Sequence, residues 1–428
     1  QAHNLKVGGS NPSPATNLLI VIKKNNFFDN ALFFFFSVYP IAFLFGNFVI
    51  NLFLFIINFI LILSFLKNSL NYKVLNKSIF YLLFFLFFSF LINLIFSNNF
   101  LLSYPRVLKF ILIIGSIVSF RHLLVSFSNS EMCKLYKIWS IIFMIVIFDI
   151  IFELIFKSNI LGLKSFMPGR IASFAGQELN IGHFFSAFSL IFMSYVYNNY
   201  KNISLKLLIA IFLIVISFII GERSNFIRTF LIISLFIFLI YEINFKLKIL
   251  SFSTLVIFFI IILNFNSGYK LRYINQFTNV LNKNGISYYL DNSVYGAHYN
   301  VAKEIFNDNK IFGAGIKNFR VESYDKKYDV LDHNQNERRA NTHPHQIHYE
   351  FLSETGLFGY LSFAIFICFS FYLTIKNYIK ERNYYQLAAF FYVLISLLPL
   401  LPSGSFFSTY GSGLFWLNYA IMVGYIKK

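Results

Sequence analysis

Three of the chain's eight histidines fall in one short run, Asn341-Thr342-His343-Pro344-His345-Gln346-Ile347-His348-Tyr349-Glu350. A neutral imidazole is half-titrated near pH 7 and can accept a proton from a hydroxyl. The same run closes a polar segment that carries Lys310, Lys317, Arg320, Arg338 and Arg339. Histidine beside clustered cations points to proton transfer next to an anionic substrate. A metal site fits less well, because Pro344 breaks any helix face shared by His343 and His345 and no companion Cys or nearby Asp completes a ligand set. No metal and no cofactor are expected. The structural alternative is a set of solvated histidines at a helix start.

The elements that must position these groups are membrane helices. The composition is 57% hydrophobic and 13% charged, more apolar than a soluble core absorbs. Apolar runs fall at 28–45, 47–66, 78–96, 104–120, 136–156, 182–198, 204–220, 225–242, 248–264, 356–375, 384–401 and 407–426. The first two form one stretch too long for a single crossing, with Gly46-Asn47 as the turn. The fold class expected is an all-α integral membrane protein of about twelve transmembrane helices, with one large outside loop containing short helices. Residues 1–26 read as a disordered leader, 27–264 as helices one to nine, 265–355 as the loop or lid, and 356–428 as helices ten to twelve. Within the loop, 299–310 has the apolar spacing of an amphipathic helix.

Basic residues set the orientation. Lys23 and Lys24, Lys67 to Lys77, Arg121 to Lys137, Lys201 and Lys206, Lys246 and Lys248, Lys376 to Arg382, and Lys427 and Lys428 all lie on one side. The opposite connections 97–103 and 402–406 contain no Lys, Arg, Asp or Glu, so both termini are expected in the cytoplasm. The net charge of +18 is thereby assigned to membrane topology and the lipid bilayer, and nucleic acid is not expected as a partner. Cys133 and Cys368 are the only cysteines, too few for a disulfide framework or a thiolate metal site.

Other outside segments carry candidate groups. Gly221-Glu222-Arg223-Ser224-Asn225-Phe226-Ile227-Arg228 puts two arginines at the membrane surface, where a guanidinium forks onto phosphate oxygens or pairs with Glu222. Arg170, in a small and polar stretch at 169–183, could add a third phosphate contact. Gln177, Glu178 and Asn180 there could meet sugar hydroxyls or simply cap a helix. Arg106 and Lys109 on the fourth run, with Asp149 and Glu153 on the fifth, read as an interhelical ion pair or a substrate contact. Phe312-Gly313-Ala314-Gly315 is a glycine turn with no strand before it, hence no nucleotide loop.

The run His345-Gln346-Ile347-His348-Tyr349-Glu350-Phe351-Leu352-Ser353-Glu354-Thr355-Gly356-Leu357-Phe358-Gly359 closely resembles the signature of the O-antigen ligase and polymerase superfamily. Phe312-Gly313-Ala314-Gly315 with Phe319, Arg223 after the seventh span, and Arg170 before the sixth extend the resemblance. It implies a metal-independent, inverting glycosyltransferase of the bacterial inner membrane, with a periplasmic active site. The donor implied is an undecaprenyl-pyrophosphate-linked glycan, and the acceptor lipid A-core or another glycan. His345 matches the catalytic histidine, and Arg223, with Arg228 and Arg170, the donor pyrophosphate site. His343, His348, His298, Arg320 and Glu354 are candidates for the acceptor side. Gln346, Glu222-Arg223-Ser224 and His298 depart from the usual pattern, and those departures bear on the acceptor.

The alternative within the family is a repeat-unit polymerase of O-antigen or exopolysaccharide, for which a chain-length regulator is a candidate partner. From another class, a lipid-linked sugar flippase or solute transporter predicts matched internal repeats with broken helices at mid-membrane. No such repeat is visible.

Overall fold

The computed structural model describes residues 27–67, 77–240, 243–265, 267–275, 278, 285, 293–330, 333–399 and 401–426. The leader assigned to 1–26 lies outside them. Every described regular element is helical. The main helices are α1 (Phe27–Phe45), α2 (Asn47–Leu66), α3 (Lys77–Ile95), α4 (Phe100–Ser126), α5 (Asn129–Phe156), α6 (Ile181–Asn199), α7 (Ile203–Ile220), α8 (Arg223–Leu239) and α9 (Phe245–Phe265). After the long loop come α10 (Val294–Asp308), α11 (Ile347–Glu381), α12 (Tyr384–Ser396) and α13 (Thr409–Gly424). Each of the twelve apolar runs overlaps a helix, the run 384–401 outlasting α12, and 8 of the described helices are long and apolar enough to cross a membrane. The chain is thus a multi-pass membrane protein.

Side-chain burial follows the same logic inverted. On α2 the residues Phe48, Leu52, Phe55, Phe59 and Ile62 are all exposed, a four-three-four-three stripe that faces lipid. α9 buries only Leu255 among its described residues. The interior instead holds Trp139, whose indole N–H donates to the Phe36 carbonyl at 2.8 Å, packed with Phe36, Phe120, Phe143 and Phe188. Local signals fix the helix starts: the Ser128 hydroxyl and Glu131 form a capping box on α5, and Asn99, Asn202, Asn383 and Ser408 cap α4, α7, α12 and α13. Gly46 at φ 94° makes the expected turn between α1 and α2.

The amphipathic helix expected at 299–310 is α10, which starts earlier and buries Ala297, His298, Val301, Ala302 and Ile305. α11 also starts earlier than its apolar run, at Ile347, and is broken at Gly356 (φ 64°, ψ −170°). The glycine turn of the long loop laces into that break. Ala314 and Gly315 N–H donate to the carbonyls of Ser353 and Glu354 at 2.9 Å each, while Leu357 and Phe358 N–H donate to Lys310 and Ile311. Asn93 of α3 closes the joint, donating to the Phe312 and Glu354 carbonyls at 2.6 and 2.8 Å and accepting from Ile316 N–H. The polar residues 347–355 are therefore an interior helix segment, with Glu350, Ser353, Glu354 and Thr355 all fully buried.

A Cβ on Gly356 would stand 2.4 Å from the Ile311 oxygen. Gly356→Ala is expected to cost about 2–5 kcal/mol, combining left-handed strain with overpacking. Gly46→Ala, with nothing within 4 Å of its Cβ, should cost only the strain. Unfolding temperatures in detergent check this, and equal midpoints for the two variants would refute the interlock.

Candidate active site

The site is organised by the connection 397–408 between α12 and α13. Its described backbone is not helical, yet several of its polar groups find partners from other elements. The Leu397 carbonyl accepts from His348 Nε2 at 2.8 Å, and the Pro399 carbonyl from Gln346 Nε2 at 2.8 Å. Arg228 of α8 donates to the Pro402 carbonyl at 2.7 Å. Ser403 N–H donates to the His345 carbonyl at 2.7 Å. Further on, Glu350 accepts from the Ser405 hydroxyl and from Phe406 N–H, and Lys317 donates to that same hydroxyl. Lys317 lies 3.9 Å from Glu350, and burial pushes its pKa down.

His345 sits against this connection in a left-handed conformation, φ 56°, a strained state that its carbonyl bond to Ser403 helps to hold. Its ring stacks on His298 of α10 at 5.2 Å and lies 4.0 Å from His343 and 5.5 Å from Tyr295. Three imidazoles this close disfavour a charge on any of them. Burial, then the neighbouring His345, lowers the His298 pKa to about 4. His343 falls to about 2 through burial, then His345, Lys317 and His298, and burial lowers His345 itself. His345 is thereby kept neutral and able to accept a proton.

The arginines approach from the segment before α6 and from α8. Arg170 contacts Glu222 at 3.3 Å and donates to the Leu179 carbonyl at 2.5 Å. Glu222 also accepts from Gly182 N–H at 3.0 Å and from the Asn225 amide at 2.5 Å, so one carboxylate joins the starts of α6 and α8. Burial raises its pKa. Arg228, buried in α8, also reaches Asn225 Oδ1 at 3.3 Å. The Nε–H groups of Arg170 and Arg228 are buried without a partner among the described residues. His183, in the first turn of α6, lies within electrostatic reach of Arg228, Arg170 and His345. It therefore marks where the arginine and histidine groups converge.

The remaining sequence candidates have partners or surroundings of their own. His348 is tethered at both ring nitrogens: Nε2–H donates to Leu397, so Nδ1 accepts from Tyr360 at 2.9 Å. Glu354 accepts from Lys317 and Phe319 N–H at 2.8 and 3.3 Å, which makes it the anchor of the glycine turn. Arg320 is exposed on the short helix Phe319–Glu322. Arg223 is half-buried at the start of α8. The ion pair between Arg106/Lys109 and Asp149/Glu153 does not form. Asp149 accepts from Ile160 N–H and the Ser173 hydroxyl, and Glu153 from Ser165, Ala172 and Ser173 N–H. The two acids fold the 158–173 segment instead. Sequence reasoning missed His183, Lys317 as a buried group, and the whole 397–408 connection.

Membrane helices whose interruptions are walled in by polar side chains, with imidazoles and guanidiniums at one end, define a multi-pass membrane protein built around a polar site. Residues 207–364 match the family model described as O-antigen ligase. The matched stretch covers 158 of the 428 residues and runs from α7 past the Gly356 break. His298, His345, Arg223 and Arg228 lie inside the matched stretch, and Arg170, His183 and the 397–408 connection outside it. No curated protein matches the chain.

The depressed histidine values have a definite sign in stability. An unfolded histidine binds its proton near pH 6.5, whereas folded His298 resists until about 4. This contribution is complete above pH 6.5 and is lost as pH falls toward 4. The unfolding temperature should drop across that window, and His298→Asn should flatten the drop. A profile unaltered by His298→Asn would contradict the burial of a neutral ring.

Proposed function

We propose that the protein is an inverting glycosyltransferase of ligase type, moving a glycan from undecaprenyl pyrophosphate to a sugar hydroxyl of lipid A-core. The observation that carries this reading is the convergence of a neutral, strained His345 with two guanidiniums that retain unpartnered Nε–H donors. The twelve spans and cytoplasmic ends expected from the distribution of basic residues support a site on the periplasmic face of the bacterial inner membrane.

In this reading the donor pyrophosphate lies against Arg170, Arg223 and Arg228, which neutralise charge as it develops on the leaving group. His345 takes the proton of the acceptor hydroxyl. The acceptor oxygen bonds to the anomeric carbon, the bond from that carbon to the phosphate oxygen breaks, and undecaprenyl pyrophosphate leaves with the electron pair. Attack opposite the leaving group inverts the linkage. His298 and His343 keep the base neutral from the acceptor side, while His348, Glu354 and Lys317 hold the backbone that carries it. Neither a nucleotide nor a metal enters the scheme.

Transfer in proteoliposomes tests it, using undecaprenyl-pyrophosphate-linked glycan with lipid A-core or a second lipid-linked repeat as acceptor. His345→Ala should lower the rate by about 10²–10⁴-fold, and activity should survive EDTA. Arg170→Lys should lose most activity if the fork is needed and little if charge suffices. Transfer indifferent to His345 would sink the mechanism. Product formed only on the lipid-linked repeat would make the protein a polymerase.

A further inference from the structure

His183 takes no part in the proposed transfer, yet it lies within reach of both its halves. From Ile181 to Ile191 every residue of α6 is buried except His183, which is half-buried. The turn that carries it is fixed at two points. Gly182 N–H donates to Glu222 at 3.0 Å, and the Asn180 carbonyl accepts from His183 N–H at 3.0 Å and from the Tyr410 hydroxyl of α13 at 3.4 Å. The ring itself makes no hydrogen bond among the described residues, and Arg228, Arg170 and His345 act on it through charge alone. Its Nε2 edge faces Gly404 of the connection. A Cβ built on Gly404 would stand 3.8 Å from Nε2 and 3.9 Å from Cε1 of that ring, and would meet nothing else within 4 Å. Gly404 thus leaves open space beside the ring. A polar ring without a partner is costly in the interior of a bundle, and here a fixed backbone holds one toward that space, which is how a ligand contact is built.

The identity of that ligand rests on the transfer proposed above. Displacement at the anomeric carbon sets the leaving phosphate oxygen and the incoming acceptor oxygen on opposite sides of that carbon. With the phosphates on Arg170 and Arg228 and the acceptor hydroxyl on His345, the sugar being transferred spans the interval between them. His183 reaches all three side chains, so it flanks that sugar. A neutral imidazole carries one N–H and one bare nitrogen, and a sugar hydroxyl both gives and takes a hydrogen bond, whereas a guanidinium only gives. We propose that His183 is the contact to the transferred sugar, with Nε2 hydrogen-bonded to a hydroxyl beside the anomeric carbon and Gly404 leaving the room for it. His183 is thereby a recognition residue, distinct from the base and from the pyrophosphate contacts. Holding that hydroxyl fixes the rotation of the sugar ring, and with it which face of the anomeric carbon is turned toward His345.

Binding, read without turnover, tests this. The full chain in phosphatidylcholine nanodiscs is titrated with undecaprenyl pyrophosphate carrying one hexose and, separately, with undecaprenyl pyrophosphate itself. The unaltered protein should bind the glycosylated lipid about tenfold more tightly, the scale of one hydrogen bond. His183→Ala should lose that preference while binding bare undecaprenyl pyrophosphate as before, which also shows that the variant is folded. His183→Gln, whose amide reaches the position of Nε2, should restore most of it. Gly404→Ala, which sets a methyl beside Nε2 and leaves the ring in place, should lower it. A preference unchanged in His183→Ala, equal losses for both lipids in His183→Ala and Gly404→Ala, or no preference in the unaltered protein would overturn this assignment and leave the transfer reading standing. Binding of neither lipid by the unaltered protein would overturn both.

Discussion

Non-helical backbone at membrane depth must find a partner for every N–H and C=O, because lipid supplies none. Several backbone groups of the connection 397–408 meet that demand through α8 and the start of α11. Pro399 and Pro402 lighten it by bringing no N–H at all. The Leu397, Pro399 and Pro402 carbonyls draw in His348, Gln346 and Arg228, and the Phe406 and Ser403 amides draw in Glu350 and the His345 carbonyl. Satisfaction is reciprocal. The groups that make this segment tolerable in a bundle are fixed in place by it, and His345 is positioned through its backbone while its ring stays available.

Buried carboxylates play a second positional part. Glu222, Glu354, Asp149 and Glu153 each accept backbone N–H groups at turns between helices. A carboxyl group offers two oxygens and can accept from several such amides at once. This use leaves the acids engaged with backbone, and Glu222 also with Arg170.

The helices were legible because lipid imposes a length and a composition that few other environments do. Gly46 and the amphipathic α10 were legible for equally local reasons. Residues 347–355 were read as loop because His348, Glu350, Ser353 and Glu354 are polar; the structure buries them against a turn that approaches from 310–319, which no periodicity reveals. The 402–406 stretch looked bland for lack of charge, although its contribution is made by peptide groups that every residue carries. The acids at 149 and 153 were correctly paired on one face of α5, but their partners are amides rather than Arg106 and Lys109. His183 lay within a segment that stood out, and its neighbours Glu178 and Asn180 drew the attention that its meeting with Arg170, Arg228 and His345 merits.

The joint at Gly356 also sets an order of events during synthesis. Asn93 is inserted with α3, yet the groups that satisfy its amide, the carbonyls of Phe312 and Glu354 and the Ile316 N–H, emerge more than two hundred residues later. The turn at 310–316 in turn needs Ser353 through Phe358. Until the ribosome has passed Phe358, α3 holds an amide without its final partners, and the long loop has nothing to close upon. The loop is thus a late arrival in biogenesis, docking as a latch on a bundle whose first nine helices are already in the bilayer.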